Sequence, residues 1–351
     1  ELYGKHYSIA WPGDEHESCR KLRLSPLYSR LEAQGAVFGS KFGWERANWF
    51  AAPGTEAVER PTFGKPDWFE AVGQEHQAIR EGVALIDQTP FSKLEVSGAG
   101  SFEFLQRLAA ADIDKPPGRL TYTQLCNERG GIECDLTIAR VEDERFYIVT
   151  GTAFGGHDLS WIRENLDSSS PVELSDITDK RAVINVCGPR SRALLEGVCD
   201  DALDNESFPF GACLPLNIGS ATVLAMRVTY VGELGWELHM PIEAAGEVYD
   251  LLLEAGKDLG VRNAGYRAIE SCRLEKGYRY WSTDLTADYT PWEAGLGFCV
   301  ALEKGDFIGR EALLETKEKG ISDILVSIVL NDPMAVPLGN EPVWQDRVII
   351  G

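Results

Sequence analysis

Three short runs constrain this 351-residue chain more than any other feature: residues 119–126 (RLTYTQLC), 132–141 (IECDLTIARV) and 145–150 (RFYIVT). Each alternates its side chains with a period of two, which sends successive residues to opposite faces of a strand. The turns NERGG and EDER are too short for a crossover, so the runs must pair antiparallel as a meander. Asp135 stands inside the middle run, on the face it shares with Glu133 and Thr137. A central strand leaves such a carboxylate less freely solvated than an edge strand does. It is either an outward-facing solubilising group or one placed for chemistry.

Around the meander the periodicity changes. Asp67-x-x-Glu70 resembles a capping box, and Phe69, Val72, His76, Ile79 and Val83 follow at helical spacing, which predicts a helix from Asp67. KLEVSG (93–98) reads as a strand and SFEFLQRLAA (101–110) as a short amphipathic helix. Further on, DLSWIRENL is helical, AVINVCG a strand and SRALLEGV a helix. ATVLAMRVTYVGELGWELHM reads as a strand pair through Gly232, PIEAAGEVYDLLLEAGKDLG as a long helix with Pro at its start, and NAGYRAIESCRLEKG (263–277) as another. The unit VCGPRSRALLEGV (186–198) echoes VSGAGSFEFLQRL (96–108), a hint of a repeated module. Strands and helices mix without regular βαβ alternation, so the expected class is α+β, with mixed or antiparallel sheets and packed helices. Residues 1–66, rich in aromatics among turn formers (KFGWERANWFAAPG), predict an ordered wrapping segment with few regular elements. A new β-rich unit begins near Asp323.

Composition narrows the function. A formal charge of −21 argues against a nucleic-acid binder, which needs clustered Lys and Arg, but leaves room for a small anionic ligand in a local basic pocket. With 44% hydrophobic and 25% charged residues the chain is expected to be soluble and globular, and no apolar run reaches the length of a membrane span. The beginning, ELYGKHYSIAWPGDE, carries neither the basic nor the apolar region of a signal peptide. The eight cysteines form no CxxC pair and read as reduced, buried thiols of a reducing compartment. The five histidines have no HExxH or HxH spacing, so no metal centre is expected from pattern, and no GxSxG elbow occurs. Gly98-x-Gly100 follows a strand, but Glu103 occupies the place of the third glycine, and the dinucleotide fingerprint fails.

Three patterns remain open between structural and functional readings: Asp135 in its strand, Tyr230 and Glu233 flanking a turn in VTYVGELGWEL, and the stripe Arg267, Ser271, Leu274, Tyr278 on one helix face, with Arg273 pointing elsewhere. Taken in order, YTQLCNERGGIECDLTIAR, FYIVTGTAFGGHDL, RVTYVGELGWELHM, YRAIESCRLEKGYRYW and TPWEAGLGF resemble the tetrahydrofolate-binding aminomethyltransferase family. That family includes glycine cleavage T-protein and the C-terminal half of dimethylglycine and sarcosine dehydrogenases. The likeness covers about residues 68–320. The opening segment, LYGKHYSIAWPG through GAVFGSKFGWERANWF, is similar to the dehydrogenase branch.

The resemblance implies a division of the chain. Residues 1–66 would be a connector from a preceding FAD oxidoreductase domain, 67–320 the tetrahydrofolate-binding domain, and 321–351 the start of a C-terminal β-barrel. It also implies roles. The family's essential aspartate, in GG-x-x-x-D, falls on Asp135. Its pterin-binding glutamate falls on Glu233 with Tyr230 beside it, its arginine on Arg267, and an aromatic pocket wall on Trp281, where T-proteins usually carry Tyr. The SN dipeptide of T-proteins is Thr150-Gly151 here, so an Asn contact is lost. The implied activity is capture of the oxidised N-methyl carbon of a small amine as 5,10-methylenetetrahydrofolate, in a bacterial cytoplasm or a mitochondrial matrix. A standalone aminomethyltransferase, an O- or S-demethylase and a non-catalytic folate-binding module are the alternatives.

Overall fold

The meander forms. In the computed structural model, which describes residues 18–351 together with Gly4, Tyr7 and Glu15, strands β5 (Arg119–Cys126), β6 (Ile132–Glu142) and β7 (Arg145–Thr150) pair antiparallel in that order. They precede β4 (Ser92–Ser97) and β8 (Glu173–Asp176) in one five-stranded sheet. The register sets Gln124 opposite Asp135 and Tyr122 opposite Thr137, with a bulge at Leu125/Cys126. Cys134, Leu136 and Ile138 turn inward against Leu94, Val96, Leu105, Phe146 and Ile148. Each such side chain, fully buried, contributes roughly 1.5–3 kcal/mol. That face fixes the register, and the register delivers Glu133, Asp135 and Thr137 to the other face.

The second sheet repeats the first. Its strands β9 (Arg181–Cys187), β10 (Cys213–Ile218), β11 (Ala221–Met226) and β12 (Gly235–Pro241) line up as β10-β11-β12-β9, just as the first sheet runs β5-β6-β7-β4. The flanking helices match too: α3 (Ser101–Leu108) and α4 (Gly155–Glu164) in one unit, α5 (Ser191–Glu196) and α6 (Ala245–Ala255) in the other. The strand–glycine–helix echo in the sequence is thus the joint of an internal duplication. Both joints need glycine: Gly98 and Gly188 have φ of +100° and +119°, and a Cβ would meet backbone carbonyl oxygens at 2.7 and 2.5 Å. Short β3 (Ala84–Asp87) and β13 (Arg262–Asn263) complete the second sheet.

Residues before the first helix of the expected domain are more regular than their composition predicts. Helix α1 (Tyr28–Ala33) and the hairpin β1 (Ala36–Lys41)–β2 (Trp44–Phe50) occupy the stretch expected to hold few elements. Leu27, Leu31, Ala36 and Ala47 share a core with Trp236, Leu238 and Val248, and Trp44 and Trp49 are buried, while Phe42 is exposed. The stretch LYGKHYSIAWPG lies outside the described residues apart from Gly4 and Tyr7. The predicted capping box does not form. Helix α2 runs Phe69–Glu81 with no side-chain cap: its N-cap is Trp68, one residue past Asp67, which pairs with Arg60.

Two other expectations are corrected in the same way. The strand pair through Gly232 is shorter than its alternation implies: β11 and β12 pair only at Leu224–Met226 with Glu237–His239, and residues 227–234 leave the sheet. The long helix is the eleven-residue α6, preceded by a 3₁₀ turn at Ile242–Ala244. Helix α7 (Tyr266–Glu275) begins at Gly265, whose N–H donates to the buried Glu75 of α2 at 2.9 Å. Glu75 also accepts from Phe50 of β2 at 2.7 Å, so one carboxylate ties three elements. Burial pushes its carboxyl up to about 7 against those two bonds. Helix α8 (Arg310–Lys319) and a two-stranded ribbon, β14 (Trp344–Gln345) with β15 (Val348–Ile349), follow. All eight cysteines are free and seven are buried; among the described residues no helix is long and apolar enough to cross a membrane.

Candidate functional site

Asp135 is held on its own sheet. Gln124, its cross-strand partner, donates Nε2 to Asp135 Oδ1 at 2.9 Å, and Tyr122, one alternation away, hydrogen-bonds the same carboxyl. Burial pushes this carboxyl up to about 6; the two donors pull it back, and Asp158 on α4 raises it further. Tyr122 is 37% exposed, yet burial, together with the Asp135 charge, raises its phenol well above the usual range. A side chain open to solvent and still enclosed on most sides stands in the wall of a concavity.

Two loops close on that wall. Residues 227–234, expelled from the sheet, carry Tyr230, whose hydroxyl donates to Arg279 O and whose ring lies 6.0 Å from that of Tyr278. Asp135 is close enough to raise the Tyr230 phenol, after burial. Residues 278–296 carry Trp281, whose Nε1 donates to Ile132 O at 3.0 Å, while Ile132 N–H donates to Tyr289 O at 3.0 Å. Both backbone groups of one β6 residue are therefore spent on this loop. Phe154 and His157 rings stand 5.0 and 5.1 Å from Trp281. Gly131 makes the approach possible: a Cβ there would lie 1.9 Å from Ala287 O. Its neighbour Gly130 serves the turn, with φ of +84°.

The structure thus places Tyr230 near Asp135 and seats Trp281 on Ile132 of the same strand, while the other two expected residues come with partners of their own. Glu233 is ion-paired with Arg80 of α2 at 3.1 Å. Arg80 also donates to Val231 O at 2.6 Å, Cys272 O at 3.1 Å and Glu275 at 3.0 Å, so it clasps the 227–234 loop to α7. Arg267 is paired with Glu59 and lies 4.4 Å over the Trp68 ring. Ser271 meets His76, and Leu274 is exposed, so the helical stripe of Arg267 is no single ligand surface. Arg273, set aside in the sequence as facing elsewhere, is buried, pairs with Glu270 on its own helix and pins the Trp281 loop through Asp284 and Tyr278 O.

Tyr122, Gln124, Arg80 and Arg273 are the residues that pattern missed. Period-two alternation puts Tyr122 and Gln124 on one face of β5, but the bulge hides their pairing with β6, and nothing local marks the arginines. Replacing Arg80 by Met should loosen Glu233 without touching Asp135. We expect ligand affinity at this site to fall by about tenfold or more, with a loss of about 2–4 kcal/mol in urea unfolding from the unpaired acceptors.

A cluster of Cys134, His157 and Asp158 has donor atoms within 4.8 Å of one another. Its groups are already spent: Asp158 accepts from Thr150 at 2.5 Å and bonds His157 at 3.0 Å, and burial, with Asp158 beside it, keeps the Cys134 thiol protonated. Thr150, at the Ser position of that dipeptide, is thus a partner of α4, and Gly151 stands where the Asn contact is lost.

Comparison with known proteins now decides the family. The GCVT N-terminal domain matches residues 27–304. The chain belongs to that family. The matched GCVT domain extends forty residues ahead of Asp67, in keeping with the packing of α1 and the β1–β2 hairpin. Among relatives, the 4-methylaminobutanoate oxidase (formaldehyde-forming) of Paenarthrobacter nicotinovorans is 38% identical, across 100% of this chain and 43% of its own length. Human mitochondrial dimethylglycine dehydrogenase is 35% identical, across 100% and 41%. The mouse mitochondrial pyruvate dehydrogenase phosphatase regulatory subunit is 38% identical, across 93% and 38%. The chain therefore spans about two fifths of the curated relatives it matches. Among solved structures, the glycine cleavage aminomethyltransferase T of Bartonella henselae shares the GCVT fold with a TM-score of 0.71 at 27% identity, covering 86% of this chain and 76% of that one.

Proposed function

We propose that this chain is the folate-binding, one-carbon-transfer portion of a dimethylglycine or sarcosine dehydrogenase-like enzyme. The observation that carries the reading is the Asp135 carboxyl, raised to about 6 and held by Tyr122 and Gln124 within a wall of Tyr230, Tyr278 and Trp281. A flat reduced pterin needs aromatic walls and hydrogen-bond acceptors, and both kinds of group are present. Tetrahydrofolate, when bound, supplies amine nitrogens that take up a one-carbon unit.

The chain's residues do the rest. Glu233, oriented by Arg80, accepts N–H bonds from the pterin edge. Tyr230 and Trp281 flank the ring and exclude water. Arg267 reaches an acceptor group of the ligand only by releasing Glu59. Asp135 balances between its protonated and ionised forms near neutrality, so it can hold or release a proton beside the reacting nitrogen and offset positive charge there. The FAD that oxidises the N-methylated amine belongs to a preceding domain, in line with relatives more than twice as long. The setting is a bacterial cytoplasm or a mitochondrial matrix.

Two relatives favour a second reading. One is named as a regulatory subunit and one as formaldehyde-forming, and by analogy this chain would serve without transfer to folate. The full-length protein, given dimethylglycine or sarcosine and an electron acceptor, separates these cases. Free formaldehyde should appear without tetrahydrofolate and fall at least about fivefold with it, as Asp135 promotes capture. Equal formaldehyde under both conditions sinks the transfer reading.

A further inference from the structure

Gln124 is fully buried near the end of β5, beside the bulge and directly opposite Asp135. Its amide orientation is set, because the carboxylate oxygen can only accept and Nε2 donates to it at 2.9 Å. The amide also meets the Cys299 thiol, a weak partner, and its enclosed Oε1 makes no full hydrogen bond. A leucine or methionine would fill the same space without leaving a buried carbonyl unpaired, so packing alone does not account for glutamine here. We propose that Gln124 is a positioning residue for Asp135, locking the rotation of its carboxylate and favouring its ionised form at the ligand. This inference rests on the one-carbon-transfer reading of Asp135.

The groups that face Asp135 come from four elements: Tyr122 and Gln124 from β5, Asp158 from α4, Tyr230 from the 227–234 loop and Cys299 from the turn at residues 297–299. Of these only Tyr122 and Gln124 donate to the carboxylate. Asp158 opposes its ionisation, and the Cys299 thiol, raised by burial to about 12, stays neutral. Loss of Gln124 therefore removes one of two stabilising contacts while the opposing charge stays.

Full-length Gln124→Leu, Gln124→Glu, Asp135→Asn and the Gln124→Leu/Asp135→Asn double variant test the proposal. In the folate-free protein, the cycle of urea unfolding equilibria should show a coupling of about tenfold at pH 8 that shrinks below about threefold at pH 4, where Asp135 is protonated. In the formaldehyde-capture assay, Gln124→Leu should lose about tenfold or more in turnover with KM for tetrahydrofolate within about twofold, and its acid limb should move up by about one pH unit.

Gln124→Glu keeps the shape, and guards against a Leu variant that does not fold. It should capture at pH 5, where its protonated carboxyl donates, and fail at pH 8, where two carboxylates repel. No coupling at pH 8 and an unmoved acid limb would make Gln124 a packing residue and overturn the inference. Capture retained in Asp135→Asn removes its premise. Capture lost in Asp135→Asn with an unchanged Gln124→Leu profile overturns the Gln124 assignment alone.

Discussion

Asp135→Asn should lower one-carbon transfer by about 10²–10⁴-fold while leaving tetrahydrofolate affinity within about threefold. Asparagine keeps the size and can still accept from Gln124, but it cannot take up or release a proton. The same substitution should stabilise the fold, and the sign follows from the shift. The folded carboxyl holds its proton to about pH 6, against an ordinary aspartate value of 3.8. Between those values the folded state binds more protons than the unfolded one, so stability falls as pH rises, and the cost is complete above pH 6. Since Asp135 is partly open to solvent, that cost is on the order of 1–2 kcal/mol. Urea unfolding at pH 8 should therefore show the variant more stable than wild type, with the difference gone near pH 4. A gain in stability with a loss of transfer is the signature of a carboxylate kept for chemistry.

Gly131→Ala should be the most damaging single change in the β6 turn, costing about 3 kcal/mol or more. Its Cβ would stand 1.9 Å from Ala287 O and 2.8 Å from Ala287 C, both backbone atoms, so the 278–296 loop must retreat. Retreat breaks the Trp281 and Tyr289 bonds to Ile132 together. Gly130→Ala, by contrast, places an L-residue at φ +84° with side-chain neighbours at 3.2 Å or more, and should cost only about 1 kcal/mol. Thermal unfolding of both variants, with Trp fluorescence reporting Trp281, checks the order. Equal effects would mean that the loop is not seated on Gly131.

The comparison of these two glycines shows where sequence reasoning reaches and where it stops. Their doublet marks a tight turn, but only Gly130 is there for its φ; Gly131 is there for a loop 156 residues away that no local pattern reveals. The α+β class and the meander were legible because alternation and turn length act locally. The echo of VSGAG in VCGPR was legible as well, and it proved to be the joint of two like-ordered sheets. Asp135, Tyr230 and Trp281 were singled out through motif order; Tyr230 lies near Asp135, and Trp281 is seated on Ile132 of the same strand.

What stayed hidden was pairing. Glu233 looked like a free acceptor because Arg80 stands 153 residues earlier, and Arg267 looked free because Glu59 stands 208 residues away. Counting outward from NERGG does not put Gln124 opposite Asp135 either, since the bulge at Leu125/Cys126 shifts the pairing by one. The capping box at Asp67 failed for a local reason: the helix starts one residue later, with Trp68 at its N-cap.

Calorimetric titration of the full-length protein with tetrahydrofolate tests the central claim most directly, with Glu233→Ala and Asp135→Asn run alongside. A saturable heat in wild type, lost or weakened at least about tenfold in Glu233→Ala and kept in Asp135→Asn, is the predicted result. No heat in wild type, or binding that ignores Glu233, would contradict the assignment of this concavity as a folate site.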